Sequence, residues 1–215
     1  MKTVKYVVGD VHGCLSQLTT MLKMIDDSKD TNANNQVIFL GDYIDRGPNI
    51  PGTIDKLMEY QAQNPNTIFL MGNHDLELTL GHNYLASEGT MSQYGGVIPD
   101  NHMEWLKALK PYYEDEKNYY IHGGLPFKEA IPKLTHIDQL VWIRESERMK
   151  HNKVLIVGHT PHSSSVPVVY KLDGEITGIN LDGGCCFGGF LLCAIMEDGE
   201  YNGRFMSISN SNKGS

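Results

Sequence analysis

The sequence predicts a mixed α/β fold, with a parallel half followed by an antiparallel half. Three observations carry that expectation. A strand–loop–helix pattern occurs three times between residues 4 and 85, each pass about the length of one βαβ unit, roughly 30 residues. Asp173-Gly174 and Asp198-Gly199 are hairpin dipeptides set between β-type runs. Hydrophobic residues make up 40% of the chain and charged residues 20%, the balance of a packed protein rather than a disordered one.

Each element has its own local reason. Val4 to Val8 is mostly β-branched and aromatic and stops at Gly9, as a strand does. Leu15, Leu18, Leu22 and Ile25 recur at helical spacing, so a helix is expected over residues 14–26. Residues 27–35 are polar and turn-rich, and 36–40 form a second strand ending at Gly41. Ile54, Leu57 and Met58 mark a helix over 51–63, and 67–71 form a third strand ending at Gly72. A helical pattern follows over 76–85, then a Gly- and Ser-rich loop over 87–99 and a short helix over 102–109. Residues 119–122 and 153–157 read as strands that end near glycines. Segments 166–170, 175–181, 190–196 and 201–207 alternate strand signals with Gly turns, which predicts antiparallel sheet. The 215 residues show no linker, repeat or low-complexity stretch, so one domain over 1–209 is expected, with 210–215 a frayed tail.

Charge and cysteines remove several function classes. Lys plus Arg is 18 and Asp plus Glu is 26, a net charge of −8 with no basic run. Neither a nucleic-acid partner nor an acidic membrane surface is expected. No apolar run approaches the roughly 18 residues that span a bilayer. Met1 to Tyr6 lacks an apolar signal core and runs straight into Gly9-Asp10, so a cytoplasmic location is the expectation. Cys14, Cys185, Cys186 and Cys193 form no CxxC pair, which excludes zinc-ribbon and thioredoxin-type sites. They read as small buried hydrophobes in a reducing compartment.

The chemistry sits at five strand ends of one form. They are Gly9-Asp10-Val11-His12-Gly13, Gly41-Asp42-Tyr43-Ile44-Asp45-Arg46-Gly47, Gly72-Asn73-His74-Asp75, His122-Gly123-Gly124 and Gly158-His159-Thr160. Parallel sheets place ligands beyond the carboxyl ends of their strands. Asp10 and His12 stand two apart, so in extended backbone both face one side, as two ligands of one ion would. A carboxylate such as Asp42 has two oxygens and can bridge two ions. Asn73 offers an amide oxygen, and His122 and His159 offer neutral imidazoles. Mixed oxygen and nitrogen ligation suits Mn, Fe or Zn better than Ca. Two such ions can hold a bridging hydroxide and clamp both oxygens of an in-line phosphoryl displacement. His74 is available as a general acid, with Asp45 to orient it. Arg46 adds a bidentate fork for phosphate oxygens.

These blocks resemble the phosphoprotein-phosphatase family of calcineurin-like dinuclear metallophosphatases, whose pattern is GDxHG, GDxxDRG, GNH(E/D), HGG and GH in that order. All five are present within residues 9–160. The likeness is greatest to the small bacterial and bacteriophage serine/threonine protein phosphatases. It implies a central β-sandwich of mixed sheets flanked by helices. It implies Asp10, His12 and Asp42 on one metal, and Asp42, Asn73, His122 and His159 on the other. It implies His74 and Asp45 as the acid pair, Arg46 on phosphate with Asn73 beside it, and Arg144 in the place of a second phosphate-binding arginine. The expected cofactors are two divalent ions per chain, manganese first, with iron or zinc as the other choices.

Departures from the pattern are informative. The eukaryotic SAPNY segment is absent; Asn180-Leu181-Asp182-Gly183-Gly184-Cys185 stands in its place and resembles the bacterial branch. Asp75 replaces the commoner Glu, and Asp75-Leu76 resembles the GNHDL block of diadenosine tetraphosphate hydrolases. Asp45, which those hydrolases usually lack, favours the phosphatase reading. Thr90-Met91-Ser92-Gln93-Tyr94-Gly95 resembles a TxxSYG loop of bacterial relatives, as a wall over the substrate or a plain surface loop. His82, His102, His136, His151 and His162 match no block and read as structural or solvated; Trp142 reads as core.

The resulting expectation is a serine/threonine protein phosphatase, also open to phosphotyrosine. It acts on phosphorylated proteins or peptides by direct attack of a metal-bridged hydroxide, with His74 as acid. Two other readings stand beside it: a dinucleoside polyphosphate hydrolase, and a phosphatase-like binding module without turnover.

Overall fold

The computed structural model describes residues 1–81 and 89–210. In chain order the elements are β1 (Thr3–Val8), α1 (Leu15–Ser28), β2 (Asn34–Phe39), α2 (Ile50–Gln63), β3 (Ile68–Phe69), α3 (Asn73–Thr79), α4 (Thr90–Gln93) and α5 (Asp100–Lys107). Then come β4 (Tyr113–Glu114), β5 (Asn118–Tyr120), α6 (Ile137–Trp142), β6 (Val154–Val157), β7 (Val168–Leu172), β8 (Glu175–Asn180), β9 (Phe190–Glu197) and β10 (Glu200–Ser209).

The strands form two mixed sheets, in the orders β10-β9-β1-β2-β3 and β4-β5-β6-β8-β7. Within the first, β1, β2 and β3 are parallel and β9 runs against β1. Within the second, β5, β6 and β8 are parallel and β7 runs against β8. The two late hairpins are antiparallel, as expected, and their Asp-Gly turns take positive φ at both residues. They do not form one sheet, however. β8 joins β6 in parallel, whereas β9 crosses to the other sheet and flanks β1. Such partners are chosen by packing over long sequence distances, which local pattern does not encode.

The period-two alternation of the strands builds three layers of core. Val7, Ile38, Leu40, Ile156, Ile179 and Leu181 point between the sheets and form the sandwich interior. Val4, Tyr6, Val37 and Phe39 point the other way, onto Leu18, Met21, Leu22 and Ile25 of α1 and Ile54 and Leu57 of α2. Leu155 and Val157 of β6 face outward onto Leu125 and Leu140. Burying one such aliphatic side chain is worth about 1.5–3 kcal/mol. The one cation on an inward face of β1, Lys5, is paired with Asp115 at 2.5 Å.

Two boundaries differ from expectation at functional positions. β3 stops at Phe69 rather than residue 71, because the next backbone groups bond to Lys110: its N–H reaches Phe69 O at 3.0 Å, and its O takes the Met71 N–H at 2.8 Å. Helix α3 starts at Asn73, inside the GNH block, rather than at residue 76. The cause is Asp75, whose carboxylate accepts the Gly72 N–H at 2.9 Å and starts the helix early. Part of the 76–85 helical reading and residues 211–215 of the expected 210–215 tail fall outside the described residues; Asn210 itself is not frayed, its N–H donating to Gly189 O and its side chain to Cys185 O, both at 2.8 Å. The expected 87–99 loop contains the short helix α4. Six parallel strands, β1, β2, β3, β5, β6 and β8, bring their carboxyl ends to one edge of the sandwich.

Candidate active site

Backbone hydrogen bonds strap the loops at that edge together. Val11 and His12 N–H both donate to Asp42 O, at 3.1 and 2.8 Å, and Gly13 N–H donates to Tyr43 O at 3.0 Å. Asp75 fastens the third loop to the second: its carboxylate accepts the N–H groups of Asp42 at 2.8 Å and Tyr43 at 3.1 Å. His12, Asp42, Asp45, Arg46 and His159 all hold positive φ. Each such residue costs on the order of 1–3 kcal/mol and persists only where its surroundings over-determine it. His12 is therefore not in extended backbone, and the two-apart argument for Asp10 and His12 does not describe this loop.

Two motif glycines have a steric reason. A Cβ at Gly72 would lie 2.1 Å from Asp42 Oδ1, and a Cβ at Gly158 would lie 2.1 Å from Asp10 Oδ1. The carboxylates occupy the volume that any other residue would need.

Asp42 is the hub. It belongs to both compact groups of ligand atoms among the described residues, His12–Asp42–His74 and Asp42–His122–His159, and all five residues are buried. His12 Nδ1 lies 2.6 Å from Ile44 O and His122 Nδ1 lies 3.0 Å from Leu40 O. An Nδ1–H donated to a carbonyl turns the Nε2 lone pair inward. The two Nε2 atoms stand 3.3 and 3.4 Å from Asp42 Oδ2, and His122 Nε2 also stands 3.1 Å from Asn73 Oδ1. His159 Nε2 is buried with no hydrogen-bond partner among the described residues. Acceptor atoms crowded in this way require positive charge between them, as protons or as metal ions. The mixed nitrogen and oxygen donors fit divalent transition ions, so these residues fit the metal pair implied by the motifs.

The titration shifts follow the same logic. Burial alone would depress His12 and His122, but the Asp42 carboxylate outweighs it and holds both at about 9. Burial would raise Asp42; the two imidazoles instead hold it well below the usual carboxylate range. Burial, reinforced by neighbouring Asp182, pushes Asp10 well up. Burial, then His122, depresses His159 to about 3, so that ring is a neutral donor at any working pH.

Most expected residues meet here, and some are placed differently. Asp10 lies outside both compact groups; both its oxygens face the His159 N–H, at 3.3 and 3.1 Å. His74 takes the nearer place, its ring 4.9 Å from that of His12. His74 Nδ1 lies 2.7 Å from Asp45 Oδ2, as an acid–orienter pair requires. Arg46 Nη1 stands 3.2 Å from His12 Nε2, and its guanidinium lies over the Phe187 ring. Arg144 stands beside His159, Nη1 donating to its backbone O at 2.9 Å. Trp142 packs against the core as expected, but it is half-buried and also meets the His159 ring edge-on, with centroids 5.7 Å apart. His102 bonds Tyr94 and Asp55, and His151 bonds two backbone carbonyls, so both are structural. His82 lies outside the described residues.

Sequence reasoning missed three contributors. Asp75 stands in the sequence only as a variant of the motif, although its place three residues after a helix-capping Gly marks it as a brace. Asp182, two residues past the end of β8, supplies a further buried carboxylate beside Asp10. Thr90 touches Asp45 and carried no sequence signal beyond the loop motif.

A family model described as calcineurin-like phosphoesterase matches residues 5–200. The chain belongs to the calcineurin-like phosphoesterase family. Among curated members, the symmetrical bis(5'-nucleosyl)-tetraphosphatase of Methylobacillus flagellatus is 27% identical over 142 residues, 63% of this chain and 48% of that protein. The chain thus spans about half the length of the curated relatives it matches. A solved structure provisionally named a diadenosine tetraphosphatase superposes with a TM-score of 0.71 at 20% identity, covering 96% of this chain and 93% of that one. The cold-active protein-tyrosine phosphatase of a Shewanella species gives 0.65 at 18% identity, covering 98% and 79%. At these identities the superpositions show a shared calcineurin-like phosphoesterase fold. The motif-based likeness holds at the level of this phosphoesterase family, but curated relatives such as those of Methylobacillus flagellatus and Methylococcus capsulatus carry tetraphosphatase names rather than protein-phosphatase ones.

Proposed function

We propose that the chain is a metal-dependent phosphohydrolase whose substrates are dinucleoside polyphosphates, a tetraphosphate being split into two nucleoside diphosphates. The observation that carries the hydrolase reading is the Asp42 carboxylate shared by two buried imidazole groups, with Arg46 beside one and Arg144 beside the other. The names of the curated relatives support the substrate class.

His12, Asp42, His122, His159 and Asn73 would hold the ions, with Asp10 adjacent. Two divalent ions there would polarise phosphoryl oxygens and lower the pKa of an attacking water. Arg46, beside His12, and Arg144, beside His159, are the groups that would bind phosphate oxygens. Asp45 holds His74 with Nε2 directed away from itself, where it can hand a proton to the leaving oxygen.

One observation favours the protein-phosphatase reading as a second choice. A nucleoside diphosphate leaves as a weak base and needs little protonation, whereas a serine or threonine alkoxide needs an acid. The buried His74–Asp45 pair is the equipment for the harder leaving group.

The experiment compares diadenosine tetraphosphate with a phosphoserine peptide, after chelator treatment and with or without Mn²⁺. Metal-dependent release of ADP with an inert peptide establishes the proposal. Phosphate release from the peptide with the dinucleotide intact moves the function to protein dephosphorylation. Silence on both, with metal bound, leaves a binding module.

A further inference from the structure

The TxxSYG-like segment packs against the Asp45–Ile50 turn of the active site. Thr90 is fully buried at the start of α4. Its Oγ1 accepts the Asp45 N–H at 3.0 Å and donates to Asp45 Oδ1. The other carboxylate oxygen, Oδ2, faces His74 Nδ1. Three residues on, Gln93 grips the same turn twice: Nε2 donates to Gly47 O at 2.8 Å, and Oε1 accepts the Ile50 N–H at 2.7 Å. Between these two grips lie Asp45 and Arg46, two successive non-glycine residues with φ of 65° and 68°. L-residues do not stay in that region unaided.

We infer that α4 is a clamp: Thr90 and Gln93 are positioning residues that hold the Asp45–Arg46 turn, and so keep the His74 proton donor in line. This rests on the reading of His74 as the acid. The Thr90 hydroxyl uses one carboxylate oxygen of Asp45 and leaves the other for the imidazole. Without it Asp45 can rotate, and an imidazole with no fixed orienter protonates a leaving group poorly. The Gln93 grip acts on the backbone beyond Arg46, so its loss loosens the same turn from the other end.

The test uses the full chain with metal restored. Thr90→Val removes both bonds to Asp45 at nearly unchanged shape, Thr90→Ser keeps the hydroxyl, and Gln93→Leu removes the second grip. Each is assayed on p-nitrophenyl phosphate, a good leaving group, and on an alkyl phosphate, a poor one, beside His74→Asn as the acid control. Metal content is measured throughout.

Thr90→Val is expected to keep its metals and its KM. Its kcat on the alkyl ester should fall about tenfold more than on the aryl ester. Thr90→Ser should restore the ratio, and Gln93→Leu should show the same selective loss, smaller in size. Equal losses on both esters in Thr90→Val and Gln93→Leu, or a serine variant no better than valine, would overturn the clamp. If Thr90→Val does not fold, Gln93→Leu decides alone: an unchanged ratio overturns the proposal. If His74→Asn itself shows no preference between the esters, the acid reading fails and the clamp falls with it. Selectivity in His74→Asn without selectivity in the α4 variants refutes the clamp alone.

Discussion

At the scale of single residues, the site is governed by oxygen atoms that leave no room. Gly158 faces Asp10 at a distance where a Cβ would stand 2.1 Å from Oδ1. Gly158→Ala must push the carboxylate aside or distort the loop, at a cost of about 1–3 kcal/mol. The denaturant midpoint should fall accordingly, and metal content after repletion should fall with it; an alanine variant with full stability and two ions contradicts the packing argument. Asp42 has a different role, since two ligand groups share it. Asp42→Asn is expected to lose ions from both groups and turnover together, read by metal analysis and phosphate release. Retention of two ions in that variant would show that Asp42 is not shared. The Gly-His pair was visible in the sequence as a motif. Its reason was not, because the carboxylate that needs the space, Asp10, comes from a loop far away in the sequence.

At the scale of elements, the strands and hairpins were legible wherever a local rule decides them. Leu18, Leu22 and Ile25 announced α1, and Asp173-Gly174 announced the β7–β8 turn. The start of α3 was not legible, because it depends on Asp75 bonding groups on two separate loops. That side chain accepts three backbone N–H donors, from Gly72, Asp42 and Tyr43. Burial, then the neighbouring Asp42 charge, raises its pKa to about 6. Asp75→Asn replaces one accepting oxygen by a donor facing N–H groups. The expected cost is about 1–3 kcal/mol, with Asn73 and His74 displaced together because they open the same helix. A lowered melting temperature with reduced metal content checks this; a variant with unchanged Tm shows that α3 starts without the brace. The pairing of β9 with β1 was equally hidden, since neither strand's pattern names its partner.

At the scale of the whole molecule, the sandwich collects six strand ends and with them a cluster of buried carboxyl groups. Asp10, Asp42, Asp75 and Asp182 are all buried there. Without metal, the compensating charge comes from His12 and His122, which the Asp42 carboxylate holds at about 9 against 6.5 for an ordinary imidazole. A group whose pKa is higher folded than unfolded binds more protons in the folded state, so its stabilisation is complete below pH 6.5. It is lost progressively as pH rises from 6.5 towards 9. The chelated protein should therefore melt at lower temperature at pH 9 than at pH 6.5. Divalent ions would replace those protons, so loading should release them, and affinity should rise with pH over the same interval. Calorimetric titration of Mn²⁺ into the chelated chain, in buffers of different ionisation enthalpy, counts the protons released. A net release that shrinks as pH climbs to 9 confirms the exchange. Uptake of metal with no proton release at pH 7, and a melting temperature that does not change with pH, would mean that His12 and His122 are already neutral in the metal-free site. The carboxylates would then have to be neutralised by protons of their own.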